Sequence, residues 1–537
     1  MQKKTSLVAG MLGSVALVAA IAGCSSKNEG GASPLASPGA SASAPTKAPE
    51  QKLKLKLKLF STTPEKVVPN GYALNLLKEK FNVDIEIVPR KNETYLQNIQ
   101  LGIASGDFPD TFEGLDFINY DKLVDQGVLA ELPPALLEQY APKYMQWLKG
   151  ELGDNPFKYT MRAGKNYSLP VLWTLGSKRN VFGIRQDWLD KVGIAKVPET
   201  LEEVEAAMLK FRNDDPDSNG KKDTYGMTGK LDKVSDFFSP VFGAFGLYPG
   251  IFTEKDGKVV RGEVEPAAKE ALTVLNRWYK EGLIDPEFVI NKGTNVDDKV
   301  LSEKVGIVWN SWWAFIPAEA FSAGVYYDKL VAKNPNAKWA ITSGPKGPKG
   351  EFGISQTNPV ISTGLLFSKK MEKEPERMIK YLQLTEASGF DMSLYEKLRY
   401  GELNKTYQKT NGDIEWIPPY DKEEERIKFG ISYFSAPQDY DYNLLAPYMT
   451  KSKYMTLRKE TESKASGKYD ILFPIQRPVL AEYQDRLEQF AKKNLVDFIT
   501  DKRPLGEFDK YVEEWKQLGG DKVMAEAQTK YDALLKK

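Results

Sequence analysis

The sharpest chemistry in the sequence lies in one acidic loop. Asp215, Asp217, Asn219 and Asp223 place oxygen side chains at loop positions one, three, five and nine, with Gly220 at six and the Lys221 carbonyl at seven. A hard cation takes about six to eight oxygens, and a tight turn with glycine at its sixth position brings alternate side chains to one centre, as in the first part of an EF-hand calcium loop. Position twelve, where a bidentate glutamate belongs, is Gly226, so Asp223 or water must complete the shell. The plainer alternative is a solvated turn, because Asp and Asn bond their own backbone readily. Calcium is expected here in a structural role, since the loop joins regular elements and offers no open catalytic position.

A second cluster is aromatic. Trp309, Trp312 and Trp313 fall in Val308-Trp309-Asn310-Ser311-Trp312-Trp313, after the apolar Val305-Gly306-Ile307-Val308, and Trp173 follows Tyr167-Ser168-Leu169-Pro170. Indole faces stack on the C–H faces of sugar rings while Asp, Asn and Arg bond the hydroxyls, so the mixture suits an oligosaccharide pocket. Core packing is the alternative for any single tryptophan. Three so close, interleaved with Asn310 and Ser311, point to the lip of a cleft. Trp416, Pro418, Pro419 and Tyr420, with Arg426, Tyr433 and Phe434 nearby, form a weaker mixture of the same kind.

What is missing narrows the chemistry further. The 537 residues contain no histidine and one cysteine, Cys24. Imidazole bases, Ser-His-Asp triads, zinc sites with His ligands and disulfide frameworks are thereby excluded. Lys and Arg number 74 against 73 Asp and Glu, a balance that leaves no footprint for nucleic acid, and none is expected as a partner. Lys3 and Lys4 precede an uncharged run over residues 7–21 that ends in Ile21-Ala22-Gly23-Cys24. This resembles the bacterial lipoprotein signal, whose cysteine receives diacylglycerol; residues 1–23 are then a signal peptide and Cys24 the lipidated first residue. The run is short for a span of about 20 apolar residues, which disfavours a membrane-crossing anchor. Residues 24–52, rich in Ser, Ala, Pro and Gly, read as a disordered tether.

The elements that must position these groups follow from periodicity. Residues 53–60 alternate Leu and Lys, a strand with one buried face, and Val83, Ile85 and Ile87 alternate as a second. Between them residues 72–81 carry apolar groups at helical spacing, giving a β-α-β start of the kind that builds parallel sheets. A further helix is expected over 95–104, stopping at Ser105-Gly106-Asp107-Phe108-Pro109-Asp110. Thr200 and Glu203 form a capping box before Val204, Ala207, Met208 and Phe211. A helix starting at Pro266 buries Ala268, Leu272, Leu275 and Tyr279 and ends at Gly282, and residues 478–537 read as helical with a break at Arg503-Pro504-Leu505-Gly506. Pattern alone therefore gives an α/β protein of two domains.

Several segments in order carry a resemblance. They are the Ser105 to Asp110 segment above; Gly164-Lys165-Asn166-Tyr167-Ser168-Leu169-Pro170; Ile184-Arg185-Gln186-Asp187-Trp188-Leu189; Val197-Pro198-Glu199-Thr200-Leu201; Trp278-Tyr279-Lys280-Glu281-Gly282-Leu283-Ile284-Asp285-Pro286; and the Trp309 cluster. With the lipoprotein signal, they make the chain resemble extracellular solute-binding proteins of the carbohydrate ABC-transporter family 1 type, in the large oligosaccharide-binding branch. The resemblance implies a two-lobed periplasmic-binding-protein fold, type II-like, with a hinge and an interlobe cleft that closes on its ligand. Residues 53–172 and 356–395 would form the N-terminal lobe, and 173–355 and 396–537 the C-terminal lobe. It also implies ligand contacts at Trp309, Trp312 and Trp313, with Asp110 and Glu113 on a cleft-facing turn; Trp173 joins these candidates from the aromatic pattern. The acidic loop resembles that of alginate-binding members, so calcium ligands at Asp215, Asp217, Asn219, the Lys221 carbonyl and Asp223 are implied, although Thr224 stands where those members often carry another acid. Arg185 and Asp187 are read as an ion-paired helix start.

The expected function is that of a lipid-anchored monomer on the outer face of the cell membrane, crossing it nowhere else, that captures an oligosaccharide and passes it to the permease subunits of an ABC importer. A surface-anchored, calcium-dependent polysaccharide-degrading enzyme is the alternative of another class. Glycosidases need two carboxylates at a set separation and no histidine, yet no motif marks such a pair, and the chain is read as a non-enzyme. A ligand-binding partner of a membrane sensor would share the fold.

Overall fold

The computed structural model describes residues 55–535 apart from 62, 91, 107, 108, 322, 323 and 432–440. The signal segment, Cys24, the tether, Asp107, Phe108, Tyr433 and Phe434 lie outside the described residues. No helix among the described residues is long and apolar enough to cross a membrane.

The Leu-Lys alternation does form a strand, Leu55–Ser61, paired in parallel with Val83–Pro89 across the helix Tyr72–Phe81. Leu55, Leu57 and Leu59 face Val83, Ile85 and Ile87, and Leu57 and Val83 are fully buried. On the outer face Lys56 pairs with Glu86 at 2.8 Å, so the charges only solvate the strand. Beyond this unit the sheets depart from the parallel expectation. A three-stranded antiparallel sheet sets Ser362–Phe367 between Thr111–Glu113 and Ser168–Val171. A four-stranded sheet runs Trp339–Thr342, Asn180–Arg185, Val305–Ser311, Tyr225–Met227, in which only the last pair is parallel. The reason is connectivity: the chain leaves the first of these sheets after Val171, enters the second at Asn180, and returns only after Thr342, so neither sheet is wound by successive crossovers.

The crossing stretches are tied to each other by backbone hydrogen bonds, Trp173 N to Pro359 O at 2.8 Å and Thr357 N to Gly176 O at 3.0 Å. Gln356 adds a side-chain clamp, its Oε1 accepting from the amides of Arg179 and Asn180 and its Nε2 donating to the Asn180 and Ser466 carbonyls. The buried members of the largest apolar core come from residues 57–172 and 360–398, with Leu55, Ile475 and Leu534 packed at its edge. Three further cores gather around Trp188, Phe211 and Trp278, around Val181, Trp312 and Phe315, and around Phe252, Leu472 and Trp515.

Local rules read from the sequence hold in the helices. Thr200 and Glu203 cap Leu201–Asn213 reciprocally, satisfying two otherwise orphaned amides and worth about 1 kcal/mol, and Val204, Ala207, Met208 and Phe211 form its buried face. Ala268–Lys280 buries Ala268, Leu272 and Leu275, with Tyr279 only partly covered. The C-terminal helices Pro478–Ile499, Phe508–Trp515 and Asp521–Leu535 break at Leu505–Glu507, where Pro504 stops the pattern.

Candidate functional site

A cavity of about 400 Å³ opens where the strand Val305–Ser311 ends beside the crossing stretches. The strand is apolar on both faces at first, with Val305 to Val308 buried, and Gly306 is required because a Cβ there would meet the Phe211 ring at 2.5 Å. Its last residues emerge into the cavity. Trp309 is half-buried, braced by Phe238 with centroids 6.0 Å apart, and its remaining face lines the space. Asn310 Nδ2 donates to the Tyr326 hydroxyl at 2.8 Å, and that hydroxyl donates to Asp297 Oδ1 at 2.6 Å. Burial, with Asp297 beside it, pushes the Tyr326 phenol up, so it stays a donor. Asn180, Ser355 and Gln356 supply further polar edges. One indole face among fixed donors and acceptors is an arrangement suited to a polyhydroxylated ring.

The tryptophans expected together divide into three situations. Trp309 lines the cavity. Trp173 and Trp313, both half-buried, meet edge to face at 6.4 Å and flank the Arg179 guanidinium, whose carbon lies 5.5 and 5.9 Å from their centroids. Trp312 corrects the expectation: it is fully buried, packed on Phe321 and Trp313 and under the Arg458 guanidinium, with its Nε1 unpartnered. It begins the helical turn Trp312–Phe315, which rotates it inward. Strand alternation cannot be extended across that turn, and this is why the spacing misled.

Asp110 and Glu113 do not line this cavity. Asp110 is 1% exposed and held by Lys370 Nζ at 2.8 Å and by Arg377, so its charge is spent inside the fold and a cleft-facing role is corrected. Glu113 ends its strand opposite Leu365, and burial pushes its carboxyl up to about 7 against the pull of Arg90. Trp416 and Arg426 stack at 4.8 Å, and Arg426 donates to the Tyr420 and Asp421 carbonyls. Sequence reasoning missed Arg179, Asp236, Asp297, Tyr326 and Gln356. Only Arg179 left a trace, as a cation shortly after Trp173.

The acidic loop folds as a tight turn, with Asp215, Ser218 and Gly220 at positive φ. Asp215 accepts from the Asn219 and Gly220 amides at 3.1 and 2.9 Å, and Asn219 Nδ2 donates to Asp217 and Asp223 at 2.7 and 3.0 Å. Lys221 N donates to Asn219 Oδ1 at 2.7 Å. Lys304 brings its ammonium to 2.6 Å from Asp223 and 3.7 Å from Asp217, and holds the Asp223 carboxyl below the usual range. Among the described residues no group of three or more acidic, His or Cys side chains is disposed to hold a metal. The donor set therefore fits a cation only in part: Asp217 Oδ1 is buried without a partner, as an open ligand would be, yet Lys304 already neutralises the turn. Gly226 cannot become the missing twelfth ligand, because a Cβ there would lie 2.2 Å from Met208. The Arg185 and Asp187 pair is present, two-pronged at 2.8 and 2.7 Å, with Glu303 on the same guanidinium.

Comparison with known proteins places this architecture. The family description "Bacterial extracellular solute-binding protein" matches residues 62–386. The chain is 24% identical over 482 residues to "Lipoprotein LipO" of Bacillus subtilis, covering 88% of this chain and 91% of that one. It is 26% identical over 303 residues to the "Fructooligosaccharide ABC transporter substrate-binding protein FusA" of Streptococcus pneumoniae, covering 53% of this chain and 52% of that one. A solved structure of that protein, described as an EF-hand mutant in complex with fructo-nystose, superposes with a TM-score of 0.56 at 18% identity, covering 89% of this chain and 99% of that chain. A human-milk-oligosaccharide (HMO) binding solute-binding protein from Bifidobacterium longum infantis superposes with a TM-score of 0.62 at 18% identity, over 89% of this chain and 99% of that one. The fold is thus that of two-domain solute-binding proteins, and with a family match over more than half its length the chain belongs to the bacterial extracellular solute-binding proteins.

Proposed function

We propose that the protein is a lipid-anchored extracellular receptor that captures an oligosaccharide in the cavity beside Trp309 and hands it to the permease subunits of an ABC importer. The observation that carries this reading is the cavity itself, where the open face of Trp309 sits beside the Asn310, Tyr326 and Asp297 relay. Trp173 and Trp313 do not line the cavity themselves and bear on it through Arg179, which they flank. Capture by stacking and hydrogen bonding asks for no nucleophile, in keeping with a chain that lacks histidine. The names of FusA and of the milk-oligosaccharide receptor support a saccharide ligand, and the name LipO supports the anchor at Cys24. The lobe division at 53–172 with 356–395 against the rest is part of the proposal, supported by a core whose buried members all come from 57–172 and 360–398, with Ile475 and Leu534 packed at its edge.

Calcium enters as a structural ion of the acidic loop. Asp215, Asp217, Asn219, the Lys221 carbonyl and Asp223 would hold it, with Lys304 displaced from Asp223. An ion there would supply only rigidity.

A thermal-shift panel of oligosaccharides, with and without calcium chelation, tests both parts. A ligand at about 100 times its Kd adds about 2.7 kcal/mol of stability, easily read as a melting shift. Chromatography of the same samples must return the sugar uncut. A panel in which no saccharide shifts the curve, or in which the sugar is cleaved, removes the receptor reading.

A further inference from the structure

We infer that the saccharide bound in this cavity is acidic, and that Arg179 receives its carboxylate. The inference rests on the oligosaccharide reading above and narrows it.

Arg179 is built as a receptor with its partner missing. Its Nε donates to Ser311 Oγ at 2.8 Å and its plane is flanked by Trp173 and Trp313, so the fork is fixed in direction. Both Nη groups are left without a protein acceptor, and no carboxylate lies within 4 Å among the described residues. Three other covered arginines are paired with carboxylates, while half-buried Arg90 and Arg426, like Arg179, have none within 4 Å among the described residues. Arg185 holds Asp187 and Glu303, Arg261 holds Glu263, and Arg377 holds Asp110 and Glu374. A planar fork with its outer edge free is the geometry that takes a carboxylate through two parallel hydrogen bonds. Leaving such a charge half-buried and unpaired costs stability, and burial does lower the Arg179 pKa.

The surrounding charges favour the same ligand. Three cations and two carboxylates line the cavity. Lys230 neutralises Asp236 at 3.4 Å, the carboxylate nearest Arg179 in effect, and Asp297 is occupied by the Tyr326 hydroxyl. Lys233, exposed and without a carboxylate within 4 Å among the described residues, adds a second open cation. A neutral sugar would leave Arg179 with water alone as the partner for its charge, whereas a uronate or a sialic acid would complete it while the other polar groups of the lining bond the hydroxyls.

The test is calorimetric titration of the full chain with trigalacturonate, trimannuronate and sialyllactose against galactotriose, mannotriose, lactose and kestose. An acidic member is expected to bind at least about tenfold more tightly than its neutral counterpart, a preference of about 1.4 kcal/mol, and to weaken as salt is added. R179Q should erase the preference, and R179K should keep the salt dependence while losing most of the affinity, both with the unliganded melting temperature nearly unchanged. Equal binding of acidic and neutral counterparts, or a loss in R179Q that falls equally on both, overturns the inference. Binding confined to neutral sugars overturns it too and leaves the oligosaccharide reading standing. Silence from every member overturns both.

Discussion

The carboxylates near the end of the first sheet and the cations near the end of the second make an instructive pair. Asp110 meets Lys370 and Arg377, and Glu113 is pressed toward its protonated form, so that region closes its own electrostatics. Around Arg179 the same kinds of side chain are held as rigidly, by Ser311 and two indoles, but their outward edges are left open. A charged residue near a turn says little about ligands; what matters is whether the fold has already supplied its counter-charge.

Five substitutions probe that contrast. Trp312→Ala, on the closed side, removes a fully buried indole and should cost about 3–5 kcal/mol in chemical denaturation. A variant that stays as stable but loses sugar binding would put Trp312 on the open side instead. Asp110→Asn strips the counter-charge from Arg377 and Lys370 and should cost about 3 kcal/mol, with the ligand-induced melting shift retained. Glu113 carries a pH signature: its folded pKa of about 7 lies above the 4.5 of a free glutamate, so the folded chain holds a proton that the unfolded chain has released. The contribution of Glu113 to stability should therefore be fully present below about 4.5 and be lost as pH rises through 7, a slope that should be absent in Glu113→Gln. Trp309→Ala should weaken saccharide binding about tenfold while leaving the denaturation midpoint almost in place, the mirror image of Trp312→Ala. The smallest effect belongs to the acidic turn, where Lys304→Gln should cost about 1 kcal/mol in chelator, regained on adding calcium.

Much of the scaffold was legible because its signals are local. The alternation of Leu55, Leu57 and Leu59, the Thr200 and Glu203 box and the stop at Pro504 each need only a few neighbours in sequence to act. The family segments likewise pointed to the right architecture. The site was legible only in part. Trp309 could be singled out, but the inward turn of Trp312 depends on the helical turn that follows the strand. Arg179, Asp297, Tyr326 and Gln356 come from distant stretches and meet only through the crossing connections, so no spacing announces them. The loop oxygens were found by spacing, whereas the Lys304 ammonium that reaches them lies far away in sequence.

Gln356 gives the cavity a second audience. Its single amide fastens the backbone of Arg179 and Asn180 and also reaches the chain passing at Ser466. The residue that offers its side chain to the cavity thus has its own main chain knotted into the connection between the sheets. Hydrogen exchange at the amides of Arg179 and Asn180, both held by Gln356, should therefore slow when a saccharide fills the cavity.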